Sequence, residues 1–299
     1  MKDIFFSIVI PAYNASESIV TTLDCVAAQT YQHFEVIIID DKSADAERLA
    51  EVVKNYPQLK IQLVLSQEKL FGSAARNKGI DLATGDYICF LDADDEWHPE
   101  KLQESLKTIR ELDAQGKEKT IIFSQVNIIQ DGRFLKVMPM RALSRNESVA
   151  EYLFGCYGFI QTSTIVLKRE YAEDIKFDPQ YIRHQDYDFC IRADKKGYEF
   201  VMIAQPLANY HLVSSFGSKH KGESVKYSFF WLEKMKPHLT QRDINTYKAY
   251  KLPLRYKMDG KSLQAGVSFI RYFFLTNKDN RTYFINRLKD KVRERLSGK

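Results

Sequence analysis

Residues 87–95 read YICFLDADD: five apolar or aromatic side chains, then three carboxylates in four positions. Apolar runs of this length read as buried strands. Carboxylates avoid burial unless they are paired or bind a metal. Both demands are met if a core strand ends here and sets its acids on the carboxyl tip. Open α/β sheets form their ligand sites at such tips. The plainer alternative is an acidic loop that caps the next helix.

The preceding segment favours the strand. Residues 5–10, 36–39 and 61–65 are further β-prone runs, and 17–28, 43–55 and 74–82 between them carry helical apolar spacing. Strands this continuously apolar, alternating with helices, specify an α/β fold whose mostly parallel sheet is covered on both faces. Pro11 lacks a donor and is expected to end the first strand. Ser43 and Ser73 stand where helix N-caps are expected. No GxGxxG follows the first strand, so the dinucleotide fingerprint is absent.

Downstream, a helix is expected from Pro99 to about Asp113, a strand at 121–126 and a hairpin turn at Asp131-Gly132. A short helix at 147–155, a strand at 164–167 and a helix at 185–196 stopped by Gly197 follow. Residues 199–203 and 207–210 read as two short strands. Beyond Gly222 the pattern becomes helical, with a soft boundary at 215–222.

The 299 residues suffice for one large domain with an appendage. Cys25, Cys89, Cys156 and Cys190 form no close pair, so reduced core thiols in a cytoplasmic protein are expected rather than a disulfide scaffold. The chain enters a strand within a few residues of Met1, which leaves no room for a signal peptide. No apolar run reaches membrane-spanning length. Residues 248–299 hold 14 Lys/Arg against 4 Asp/Glu, so the basic character belongs to the tail.

Several groups suit chemistry. On an extended tip, Asp92 and Asp94 face one side, and oxygen ligands suit Mg²⁺ or Mn²⁺ arriving with substrate phosphates. Asp95 reads as a cap for the helix near Pro99. Asp40 or Asp41 could accept from a base edge or a ribose hydroxyl, or cap the next helix. Arg76 could meet a phosphate or pair with an acid, and Gly79 could allow a close approach. Asp186 stabilises a helix amino end or acts as a base. His211 could ligate a metal, contact a phosphate or pack. Tyr157, Phe159, Tyr181 and Tyr187, within 140–190, could stack on the ring face of a ligand or fill a core.

Four blocks together resemble a known family: SIVIPAYN at 7–14, VIIIDDKS at 36–43, GSAARNKG at 72–79 and LDADD at 91–95. In order and spacing they resemble the inverting, metal-dependent family 2 glycosyltransferases of GT-A fold, over roughly residues 4–215. The resemblance implies a Rossmann-like, mostly parallel sheet flanked by helices, with a helical C-terminal extension. It implies domains at 1–220 and 221–299. Within the first, 1–98 would bind the nucleotide-sugar and 99–220 would hold the acceptor side and the base.

By the same resemblance, Pro11, Ala12, Tyr13, Asn14 and Asp41 line the nucleotide pocket, and Arg76, Asp92 and Ala93 meet the nucleotide-sugar. Asp94 and His211 bind Mn²⁺ or Mg²⁺, and Asp186 is the catalytic base. The implied partners are a nucleotide-sugar, UDP-linked by preference, and a glycan or lipid-linked acceptor for lipopolysaccharide or capsule. Nucleic acid is not among them. The sequence departs from the family where Gln185 replaces the Glu common before the base. A further departure is that His211 directly follows Tyr210, with Ser214 and Ser215 close behind.

The alternatives at this point are a nucleotidyltransferase and a non-catalytic nucleotide-sugar or nucleic-acid binding protein. The tail at 260–299 adds Phe269, Ile270, Phe273, Phe274 and Leu275. A last helix follows with Phe284, Ile285, Leu288, Val292 and Leu296 on one face, ringed by Lys289, Lys291, Arg293 and Arg295. A basic amphipathic helix reads as a membrane-surface element, which would set the protein at the cytoplasmic face of the inner membrane. Packing on the body or on a second subunit is the other reading.

Overall fold

The computed structural model describes residues 3–155, 157–212 and 224–296, without the side chains at 287, 290, 291 and 294–296. Cys156, Ser214, Ser215, the boundary at 215–222 and the side chains of Lys291, Arg295 and Leu296 lie outside the described set. Packing divides the chain into two compact units, residues 1–142 with 160–217 and residues 143–159 with 218–299.

The first unit alternates strand and helix: β1 (Phe6–Ala12), α1 (Ser18–Ala27), β2 (Phe34–Asp40), α2 (Ala46–Lys54), β3 (Ile61–Leu65), α3 (Phe71–Leu82) and β4 (Tyr87–Phe90). A two-residue β5 (Glu96–Trp97), α4 (Lys101–Ala114) and the hairpin β6 (Thr120–Gln130) to β7 (Arg133–Met138) follow. After α5 (Val149–Phe154), which belongs to the second unit, come β8 (Val166–Lys168), α6 (Arg169–Ile175), α7 (Gln185–Lys195) and β9 (Glu199–Leu212).

One sheet runs in the order β3-β2-β1-β4-β8-β6-β9-β5, with β7 on β6. The first four strands are mutually parallel; β8 runs against both β4 and β6, and β5 runs against β9. Burial follows the apolar runs, since β2 and β4 are buried at every position. The carboxyl ends of β1, β2 and β4 therefore share one edge, carrying Tyr13-Asn14, Asp40-Asp41 and Asp92 to Asp95. This is the mixed α/β sheet flanked by helices that the blocks imply.

Several local expectations change. Pro11 lies inside β1, paired in register with Ile39. Its missing donor points to the β4 side, where pairing has already stopped at Val9 and Phe90. Ser43 and Ser73 cap no helix. Ser43 instead accepts from the Asn14 amide at 2.9 Å. The strands expected at 199–203 and 207–210 are one strand, β9, whose register on β6 slips near Pro206. Helix α6 was not foreseen. Gly79 serves helix–strand packing: a Cβ there would lie 2.3 Å from Val9 Cγ1. At the β6–β7 turn Asp131 and Gly132 both have positive φ, +50° and +74°, as a two-residue hairpin requires.

The second unit is helical: α5, then α8 (Val225–Met235), α9 (Gln241–Tyr250), α10 (Leu252–Met258), α11 (Ser262–Phe273) and α12 (Lys278–Leu296). Phe154 packs edge-on against Trp231 and Tyr247. The buried Glu151 pairs with Arg242 at 2.7 Å, and Ser148 donates to Asp243 at 2.6 Å. Tyr157 packs at a tilt against the Tyr283 ring and donates to the Asp279 carbonyl at 2.7 Å, so packing within this unit takes the ring. Phe273 is buried and Phe284 packs edge-on against it and at a tilt against Phe269, whereas Ile270, Phe274, Leu275, Ile285, Leu288 and Val292 remain exposed. No described helix is long and apolar enough to cross a membrane.

Candidate active site

A cleft of about 430 Å³ opens at the shared strand edge of the first unit. Pro11, Ala12, Tyr13, Asn14, Asp41, Arg76, Asp92, Ala93 and Asp94 all line it, together with Gly72 and Ala75 of α3. The structure thus brings nine of the eleven expected site residues into one space. Asp186 and His211 belong to the same unit but not to the lining of this cleft.

The nucleotide end is built by two loops that clasp each other. Asn14, at φ +49°, accepts from the Ala44 amide at 2.9 Å while its own amide donates to Ser43. Asp45 accepts from the Ser16 amide at 2.9 Å. Asp40 closes the turn by accepting from the Ser43 amide. Asp41 does not cap the next helix, α2. Its carboxylate accepts the amides of Leu70 and Phe71 at the start of α3 and pairs with Lys69 at 2.8 Å. It is the cap that α3 lacks locally, since the first amides of a helix have no intrahelical partner. Lys69 in turn lies over the Tyr13 ring.

Arg76 organises the other end. It is buried, with one guanidinium nitrogen on the Asp92 carboxylate and the other donating to Gln185 Oε1 at 2.8 Å. Gln185 is held from behind by donating to the Tyr181 carbonyl at 2.9 Å. Gly72 leaves room for this pair, because a Cβ there would lie 2.9 Å from both Arg76 and Gln185. Asp92 also donates its amide to Ser163 Oγ at 2.9 Å.

Asp95 is buried rather than a helix cap: α4 starts at Lys101 with no side-chain cap. Gln161 and Ser163 both donate to it at 2.6 Å. Its own carbonyl accepts from Thr22. Burial, then the charge of Asp92, hold its carboxyl well above the usual range. Nothing local in the sequence marked Gln161, Ser163 or Lys69, because each acts across a long stretch of chain.

Asp94 is open to the cleft. Desolvation by the surrounding walls and the neighbouring Asp92 raise its carboxyl, against smaller opposing effects of His211 and Arg76. His211 Nε2 stands 3.0 Å from Glu96 Oε1. Among the described residues no three His, Cys, Asp or Glu side chains are placed to hold a metal ion. Magnesium-type ions bound with substrate phosphates need only one or two carboxylates. Asp94, open, raised in pKa and without an ion-pair partner among the described residues, fits that need. His211 would have to leave Glu96 to join it.

Asp186 is the second residue of α7, whose N-cap His184 has φ +59°. Its carboxyl is raised to about 6, first by burial and further by Asp92, against the Tyr187 amide that donates to it at 2.9 Å and against Arg76. A carboxylate near 6 is suited to accept a proton at neutral pH. Of the expected aromatic residues, Tyr181 is core and Tyr187 stacks on His184.

Residues 7–174 match the family model described as Glycosyl transferase family 2. The amylovoran biosynthesis glycosyltransferase AmsB of Erwinia amylovora is 72% identical over 301 residues, covering 100% of both chains. The UDP-Glc:alpha-D-GlcNAc-diphosphoundecaprenol beta-1,3-glucosyltransferase WfgD of Escherichia coli is 26% identical over 62% of this chain and 68% of its own. Among solved structures, S. aureus TarS 1-349 with UDP-GlcNAc superposes with TM-score 0.63 at 17% identity, over 89% of this chain and 79% of that one. The mannosyltransferase PcManGT of Pyrobaculum calidifontis, with GDP-Man and Mn2+, gives 0.58 at 15%, over 96% and 80%. These two likenesses concern the fold.

Proposed function

The chain belongs to glycosyl transferase family 2, and we propose that it moves a sugar from a nucleoside diphosphate sugar, UDP-linked by preference, to a hydroxyl of a glycan or lipid-linked glycan. The observation that carries this reading is the cleft. One wall is pre-built and internally bonded around Asn14 and Asp41, and the other ends in the open Asp94 beside the Asp92–Arg76 pair.

In this reading the clasped loops seat the nucleoside, and Asp92 is aimed at the donor by Arg76 and by Ser163. Asp94 would hold Mn²⁺ or Mg²⁺ with the diphosphate. A bound cation there would neutralise charge on the departing diphosphate. Asp186 takes the proton of the acceptor hydroxyl as that oxygen attacks the anomeric carbon, on the face opposite the leaving group, so configuration inverts. Gln185 holds Arg76 without adding a second negative charge beside the base.

The donors named for TarS and PcManGT and the Mn2+ of the latter support the donor and metal assignments. The names of AmsB and WfgD support a role in building a bacterial polysaccharide on a lipid-linked acceptor; we extend this to capsule or lipopolysaccharide assembled at the cytoplasmic face of the inner membrane. The test is nucleoside diphosphate release by the full chain across UDP- and GDP-sugars, with Mn²⁺, with Mg²⁺ and with EDTA. One donor should be turned over only with metal. Failure of every donor to bind or react with either metal would sink the reading.

A further inference from the structure

We propose that the outer face of α11 and the groove beside it dock on an anionic lipid leaflet. This deepens the reading of a lipid-linked acceptor by naming the surface that would bring the enzyme to it. Leu263, Val267, Ile270 and Phe274 follow one another at four, three and four residues, so they share one helical face. They are 79, 57, 66 and 72% exposed. The inner face of the same helix is anchored by Ala265, Phe273 and Ser268, whose hydroxyl donates to the Lys248 carbonyl at 2.8 Å. The helix is therefore apolar on both sides, and only one side is used by its own unit. Leu254 and Met258 of α10 are also exposed. Contiguous apolar surface of this kind marks an interaction site.

A groove of about 390 Å³ runs alongside, lined by Phe229, Leu252 and Tyr256 opposite Leu263 and Val267. Lys248 and Arg271 enter it, both against the Tyr272 ring at 5.1 and 5.5 Å from its centroid. Neither is ion-paired to a carboxylate among the described residues. An apolar face flanked by unpaired cations suits acyl chains below and phosphates above. Charge decides between a leaflet and a second copy of this face. With 14 Lys/Arg against 4 Asp/Glu in residues 248–299, two such faces repel, whereas an anionic leaflet attracts.

The test is co-sedimentation of the full chain with vesicles of phosphatidylcholine alone and with added phosphatidylglycerol. The wild type should bind the anionic vesicles preferentially. Lys248→Gln/Arg271→Gln should weaken that binding about twenty-five-fold, from about fivefold per cation near the surface. Leu263→Gln/Val267→Gln/Ile270→Gln/Phe274→Gln should lose at least about tenfold on anionic vesicles. All six positions lie outside the catalytic cleft, so melting temperature and donor turnover should stay at wild-type values and show that the variants fold. Wild-type binding by either variant overturns the proposal. So does sedimentation velocity showing a dimer that the apolar variant dissociates while vesicle binding persists. Vesicle binding without turnover of any donor would fail the glycosyl transfer reading alone; turnover without vesicle binding would fail this surface alone.

Discussion

Asp41 and Asp94 follow the tips of β2 and β4, the strands on either side of β1, and line the same cleft, yet their carboxylates are in opposite states. Asp41 is saturated by two backbone amides and Lys69. Asp94 is open, and both desolvation and Asp92 press it toward its neutral form. A saturated carboxylate shapes a pocket before any ligand arrives. An open one beside a like charge gains most from a cation brought by the ligand. The pattern of acids on strand tips looked alike in the two places, and the surroundings divided construction from chemistry.

The comparison can be broken most sharply at the base, the third acid of the site. Asp186→Asn should lower transfer about a thousandfold, within the range for loss of a general base, while donor affinity by calorimetry stays within about twofold. Normal turnover would remove Asp186 from its role. The same variant should melt higher than wild type at pH 8. A carboxyl raised in the fold costs stability as pH climbs above the ordinary carboxylate range, and the amide removes that cost.

Asp94→Ala should cost about a hundredfold in kcat/KM and abolish the Mn²⁺ dependence of donor binding. An unchanged metal dependence would transfer the ligand role elsewhere. Asp41→Ala should act mainly on the fold, costing about 2–3 kcal/mol from lost hydrogen bonds to a charged acceptor, or roughly 5–10 °C in melting temperature. A variant with wild-type stability but no donor binding would make Asp41 a direct ligand contact and undo the contrast drawn above.

Titration gives a smaller effect. With Asp186 at about 6, transfer should rise with pH through that value. At pH 5 it should be about tenfold below its plateau, since only the deprotonated form accepts a proton. A flat profile from pH 5 to 8 would contradict the assignment. The smallest change is expected from Gln185→Glu. A second carboxylate on Arg76 would loosen its hold on Asp92 and push the Asp186 midpoint upward by less than about one unit, with a few-fold loss of donor affinity. A downward midpoint shift would show that Arg76 does not connect the two.

Much of the site was legible because it is built from strand ends. Each of β1, β2 and β4 announces itself as an apolar run, and the polar residue that follows must surface where the strand stops. Placement of Asn14, Asp41 and Asp92 to Asp94 on one edge follows from parallel order alone. The partners of those residues were not legible. Asp95 reads as a cap from its spacing to Pro99, but Gln161 and Ser163 reach it from 66 and 68 residues away. Asp41 caps α3 rather than α2, 29 and 30 residues on.

The same limit governs the second unit. Residues 143–159 look like a continuation of the catalytic body, yet their Ser148 and Glu151 are bonded to Asp243 and Arg242. Hydrophobic period and turn chemistry are local, so the sequence by itself determined most strands and helices, the acidic tips and the family. Which carboxylate is saturated, which is left open, and which half of an amphipathic helix finds no partner depend on contacts between distant segments. Only tertiary packing decides those, because a carboxylate's state is set by the amides and cations that folding brings to it.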